Sequence, residues 1–160
     1  MTHLEQLVYE YYDWKGYLIK HNIKVGRLQK GGWEMELDII GYHPSTNHLI
    51  HIEPSLDSHA WAKKEFRFKK KFSAGKRYIL TEIFKELDKK TSIEQLAIII
   101  SHSADKKSIG GGKIKSVDQF TKEVCEDVRA EGLMSKSAIS EEYPLLRTIQ
   151  LALCGYYKKT

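Results

Sequence analysis

Two acidic residues stand where strand-like sequence would otherwise be apolar: Asp38 in ELDIIGY and Glu53 in HLIHIEPS. A carboxylate on a buried strand is costly unless it is paired or binds a cation. Two of them on neighbouring strands point to a metal site. Side chains alternate along a strand. Glu36, Asp38 and Ile40 therefore share one face of theirs, and Leu49, His51, Glu53 and Ser55 share one face of the next. A register that sets Asp38 beside Glu53 brings their oxygens to one point. A hard divalent cation, Mg²⁺ or Mn²⁺, favours one or two carboxylates, a carbonyl and waters. The backbone carbonyl of Pro54 is the expected third ligand.

A second group is basic. Lys63, Lys64, Arg67, Lys69, Lys70, Lys71, Lys76 and Arg77 crowd the segment that follows. Across the chain 26 basic residues face 21 acids, a net charge of +5. That excess fits an anionic partner such as nucleic acid, although a run of charge can also be a solvated helix face. Its place directly after the carboxylate strand favours nucleic acid.

Other motifs carry less. His43, His48, His51 and His59 lack zinc spacing, and His48 and His51 point to opposite strand faces. His51 shares its face with Glu53. GGGK at 110–113 departs from the phosphate-loop pattern, since position 107 is not glycine and Ile114 replaces Ser or Thr; a flexible loop is expected. Cys125 and Cys154 give neither metal spacing nor a disulfide framework and are expected to be buried thiols. The three tryptophans and nine tyrosines could stack on bases, but core packing is their default role.

The elements that must position these residues can be read from periodicity. Leu4 to Lys20 is expected to be a helix, with Leu4, Leu7, Val8, Tyr11, Lys15 and Leu18 on one face and Glu10 at its edge. Ile23–Leu28, Met35–Tyr42 and His48–Glu53 read as strands separated by turns at Gly31-Gly32 and 44–47. Pro54 cannot donate to a ladder and should mark a strand end or edge. Asp57 or Ser58 can cap a helix from near His59 to Phe72 or beyond, given apolar bulk by Ala60, Trp61, Phe66, Phe68 and Phe72. Gly75 is expected to break it, with a second piece from Arg77 to Leu87. Glu94–Ser101 is a buried strand, 105–115 a polar loop, Val117–Glu131 an amphipathic helix, and Glu141–Tyr157 a last helix. The order α-β-β-β-α-β-α-α predicts an α/β fold with a mixed sheet flanked by helices. One domain over 1–160 is expected, its core about 1–102 and a helical part about 116–158. No apolar run is long enough to span a membrane, and the first twenty residues lack the layout of a signal peptide; a cytoplasmic protein is expected.

The segments Lys20–Arg27, Glu36–Gly41 and His48–Ser55, followed by a basic helix and a buried strand, resemble the PD-(D/E)XK nuclease superfamily. The likeness is greatest to its small members related to archaeal Holliday-junction resolvases, and it covers about the first hundred residues. It implies a restriction-endonuclease-like fold and a Mg²⁺- or Mn²⁺-dependent endonuclease that hydrolyses DNA. On this resemblance Asp38 and Glu53 bind metal, and Glu10 on the first helix completes the site, with Glu5 as the weaker candidate. Duplex-cutting members often pair, so a homodimer is admitted, although no residue shows it.

One position departs from the pattern. The lysine that should follow the second acid by two residues is Ser55, a neutral hydroxyl. The charge could come from another element, with Lys63 and Lys64 the first candidates and Lys15 the next. A second metal or a water network could replace it. Alternatively the chain is a catalytically inactive nucleic-acid-binding domain of the same fold, or a protein–protein module that has kept the fold alone. Lys63, Lys64, Arg67, Lys69, Lys70 and Lys71 would contact backbone phosphates. The discriminating feature is a lysine ammonium within reach of Asp38 and Glu53.

Overall fold

The first helix is fixed by its cap. The Thr2 hydroxyl accepts from the amide of Glu5, whose carboxylate accepts from the Thr2 amide, and this capping box opens α1 (His3–Trp14). The structure, a computed structural model, describes residues 1–158. Helix α1 stops short of the expected Lys20. Gly16, with φ +94°, turns the chain out of the helix, and Leu18 already belongs to β1 (Leu18–Arg27). The second strand, β2 (Trp33–His43), and the third, β3 (His48–Ser55), complete an antiparallel meander.

Helix α2 (Trp61–Tyr78) is unbroken at Gly75 and runs into one π-helical turn, Ile79–Ile83. Strand β4 (Ile93–Ile99) then lies parallel to β3, as a strand reached through a crossover helix can. The expected loop at 105–115 is instead a hairpin. Strand β5 (Ser108–Ile109) turns at Gly110 and Gly111, φ +56° and +87°, into β6 (Gly112–Ser116), which pairs parallel to β4. Two glycines supply the left-handed conformations that a tight hairpin needs.

Ser116 opens α3 (Val117–Glu131) with a second capping box, at the boundaries the sequence predicts. A short helix, α4 (Met134–Ser137), precedes α5 (Pro144–Cys154). The latter is shorter than expected because Pro144 sets its first turn and Gly155, φ +77°, ends it.

The mixed open sheet runs β1-β2-β3-β4-β6-β5. Alternation sends Ile39, Ile50, Ile52, Leu96 and Ile98 to one face, where α1, α3 and α5 cover them. Leu37, Leu49, Ala97 and Ile99 pack on the opposite side, with α2 and the π turn. Glu53 and His51 share that second face, under α2. Among the described residues no helix is long and apolar enough to cross a membrane.

Candidate metal and nucleic-acid site

The strand register brings the two carboxylates together. Ile39 pairs with Ile52, so one step further Asp38 lies opposite Glu53, and the Asp38 amide donates to Glu53 Oε1 at 3.1 Å. The β2–β3 ladder ends there. Pro54, beyond it, pairs only towards β4, opposite Ile98, so its missing N–H removes nothing from β2.

A lysine ammonium stands between the carboxylates. Lys71 Nζ lies 2.5 Å from Asp38 Oδ1 and 2.6 Å from Glu53 Oε2. It projects from α2, where Phe68, Lys71, Phe72 and Gly75 fall at the spacing of one buried stripe. None of the three expected lysines is there. Lys63 and Lys64 do not line the cleft, and Lys15 is bound to Asp127 at 2.8 Å. Lys71, expected to contact phosphate, is the charge beside the acids.

Burial and the adjoining Glu53 carboxylate raise the Asp38 pKa to about 7, against the opposing pull of Lys71. Burial alone would make Lys71 less basic, but Glu53 and Asp38 outweigh it and raise its pKa. Two carboxyl groups and one ammonium thus share a half-closed space, with Asp38 keeping its proton below about pH 7.

Behind Glu53 lies a buried relay. Gln95 Nε2 donates to the Phe72 carbonyl at 2.8 Å and to His51 Nδ1 at 3.2 Å. The His51 proton must then sit on Nε2, which donates to Glu53 Oε1 at 2.7 Å. Burial and nearby Lys71 hold the imidazole pKa down at about 3, so the ring is neutral. Oε1 of Glu53 is thereby occupied by His51 and the Asp38 amide, leaving Oε2 to face the cleft. Helix α2 approaches this ring closely: a Cβ on Gly75 would lie 2.3 Å from His51 Nδ1.

Ser55 has its own partners. Its hydroxyl donates to Asp57 at 2.5 Å and accepts from Arg67 Nη2 at 2.8 Å, while Arg67 also pairs with Asp57. Asp57 does not cap α2, whose N-cap, Ala60, makes no side-chain hydrogen bond. Against the desolvation that would raise its pKa, these partners and the His59 amide hold Asp57 at about 2. Arg67 and Lys71, one helical turn apart, therefore bring two cations to the position where the sequence pattern calls for one.

The cleft they bound has a volume of about 370 Å³ and is also lined by Thr2, Glu5, Pro54 and Leu56. Glu10, expected to complete the site, is fully buried elsewhere. Its Oε2 accepts from the amides of Leu145 and Leu146 at 2.9 and 3.2 Å, and Oε1 accepts from Gln6. A carboxylate at a helix N-terminus meets both unpaired N–H groups and a favourable dipole, so Glu10 serves as the cap that α5 lacks. Glu5 is the first-helix glutamate that lines the cleft.

Among the described residues no group of three or more His, Cys, Asp or Glu side chains is placed to hold a metal. The pair alone still suits Mg²⁺, which is commonly bound through one or two carboxylates with waters and substrate oxygens. Asp38 Oδ1 and Glu53 Oε2 already converge on a single cationic atom, and the cleft adjoining them has room for water. The Pro54 carbonyl remains a candidate third donor, since Pro54 lines the same cleft.

At the level of sequence Lys71 was assigned to phosphate rather than to the carboxylates, and neither Gln95 nor the structural use of His51 was found. Lys71 had a signal: a charge at a buried-stripe position of an amphipathic helix. Comparison with protein-family models, with curated proteins and with solved structures found no match.

Proposed function

We propose that this protein is a divalent-metal-dependent endonuclease of restriction-endonuclease-like fold that hydrolyses phosphodiester bonds in DNA. The observation that carries the reading is the Lys71 ammonium within 2.6 Å of both carboxylates, which supplies from α2 the charge that Ser55 lacks. Asp38 Oδ1 and Glu53 Oε2 hold the cation, with the Pro54 carbonyl as further donor. When bound, Mg²⁺ or Mn²⁺ supplies a Lewis acid for the scissile phosphate and acidifies a water. Lys71, which stands beside both carboxylates, would orient the attacking water and offset charge growing on the phosphate. His51 keeps Glu53 turned so that Oε2 points to the cation. Arg67 and the other α2 cations bind backbone phosphates, which positions the substrate without reading its sequence.

The second reading is a nucleic-acid-binding domain that does not cut. The observation favouring it is that only two carboxylates meet and Lys71 already occupies their point of convergence. In that case the ammonium permanently replaces the cation.

Cleavage of linear, branched and single-stranded DNA with Mg²⁺ or Mn²⁺ separates the two. Wild type should cut, and Asp38→Ala and Lys71→Met should each lose on the order of a hundredfold or more in rate. Equal cutting by Asp38→Ala removes the site assignment. Binding of DNA by wild type without cleavage of any form, at any metal concentration, selects the second reading.

A further inference from the structure

On the surface of α2 beside the carboxylate cleft, we infer a second subsite that binds an unpaired nucleotide, its base stacked on Phe66 and its phosphate held by Lys69 and Lys70. The inference rests on the nucleic-acid part of the function proposed above and names the substrate class: single-stranded nucleic acid, or a branched form with an unpaired strand.

Phe66, one of the residues that give α2 its apolar bulk, is 61% exposed, whereas Phe68 and Phe72 of the same helix are buried in the core. It lines a separate cavity of about 490 Å³ together with Met35 of β2, Lys69, Lys70, Arg77 and Glu34. That volume lies in the range of small-ligand sites. One part of the lining is apolar, from Phe66 and Met35, and another is cationic. Glu34 is paired with Arg77 at 2.6 Å and accepts a hydrogen bond from the Tyr78 hydroxyl. Among the described residues neither Lys69 nor Lys70 forms an ion pair, so their charge is available to an anion. Lys70 Nζ lies 4.3 Å from the Phe66 ring centroid, so a base that stacks on this face takes the place of the ammonium, which swings to the phosphate.

An aromatic face with adjacent ammonium groups matches what one nucleotide offers, a π-surface joined to a phosphate. Bases inside a duplex stack on each other and present no free face, so the ring selects unpaired nucleotides. The two cavities share elements: Met35 precedes Asp38 by three residues on β2, roughly 10 Å, and Lys70 adjoins Lys71 on α2. A strand with one phosphate at Asp38 and Lys71 can therefore reach Phe66 with a neighbouring base.

The test is fluorescence anisotropy with a labelled oligothymidylate and a duplex of equal length, in EDTA and at near-physiological salt. Wild type should prefer the single strand. Phe66→Ala should weaken single-strand binding by at least about fivefold, the lower end of one base–aromatic stack. Phe66→Tyr should restore it to within about twofold, and duplex affinity should change little in either variant. Melting temperatures of all three should agree, because the ring is exposed. Unchanged single-strand affinity in Phe66→Ala overturns the subsite, as does an equal loss for duplex, or a wild type without preference for the single strand. The assay contains no metal and needs no cleavage. A protein that binds through Phe66 yet never cuts refutes the nuclease reading alone, whereas one that cuts but ignores Phe66→Ala refutes the subsite alone.

Discussion

At the residue scale, Asp38 is balanced between a proton and the Lys71 ammonium, and under the proposed function a metal ion would compete with both. Its pKa rises from an ordinary 3.8 to about 7, because burial and the Glu53 charge outweigh Lys71. Between those values the folded chain holds a proton that the unfolded chain has released. Stability of the metal-free protein should therefore fall as pH rises from about 4 to about 7 and level off above. Asp38→Asn should remove that part of the slope in urea titrations across the range. A cation competes with the same proton. Mn²⁺ affinity measured by calorimetry should climb about tenfold per pH unit up to about 7 and flatten beyond it; an affinity independent of pH across that interval would sink the assignment of Asp38 as ligand. The two acids were legible in the sequence because a strand gives a carboxylate no reason to be there. Their charge partner was legible only in principle. Lys71 sits among seven other cations, and only the phase of Phe68 and Phe72 distinguishes it. Glu10 was expected in the site only through the resemblance, as a glutamate on the first helix; the apolar stripe itself placed it no further than the edge. Nothing in the first helix could reveal that α5, more than a hundred residues later, would dock its bare N-terminus there.

At the element scale, the site depends on how closely α2 approaches the sheet. Gly75 permits the contact, with His51 directly against it, and Gly110 permits another, since a Cβ there would lie 2.4 Å from the Lys69 amide nitrogen. In an exposed helix, Gly→Ala stabilises by about 1 kcal/mol. Gly75→Ala should instead destabilise by roughly 1–3 kcal/mol, because the methyl must displace the imidazole ring. It should also lower metal affinity by releasing Glu53 from His51. Urea denaturation decides the point: a more stable Gly75→Ala protein would mean that the ring and helix are not in contact. The sequence suggested the opposite role for this residue, a helix break, because intrinsic propensity is all that a single glycine reveals. The 105–115 segment was misread for a related reason. Its glycines resemble a flexible loop, but β5 and β6 are held by β4 and by α2, which are distant in sequence. Helix α3 fared better, because its apolar residues recur at helical spacing within one continuous segment; the structure adds the capping box of Ser116 and Gln119 at its start.

At the scale of the whole molecule, the charge is concentrated rather than spread. Helix α2 holds eight basic residues and one acid, an excess larger than the chain's net +5, so the rest of the protein is mildly acidic. Three of the eight, Arg67, Lys71 and Arg77, are drawn into ion pairs at the two cavities. The others, Lys63, Lys64, Lys69, Lys70 and Lys76, lie on the same helix, which packs on the sheet face that carries Glu53. A polyanion should therefore meet the protein on this side, with an affinity that falls steeply as salt releases its counterions. Position can be separated from total charge by two double variants with the same change in net charge. Lys69→Glu with Lys70→Glu should weaken DNA binding strongly and reduce the slope of log affinity against log salt by about two. Lys122→Glu with Lys136→Glu, on exposed positions of α3 and α4, should leave that slope within about half a unit of wild type. Equal effects from the two pairs would show that only the overall charge matters, and the alignment of α2 with the cleft would then lose its meaning for binding.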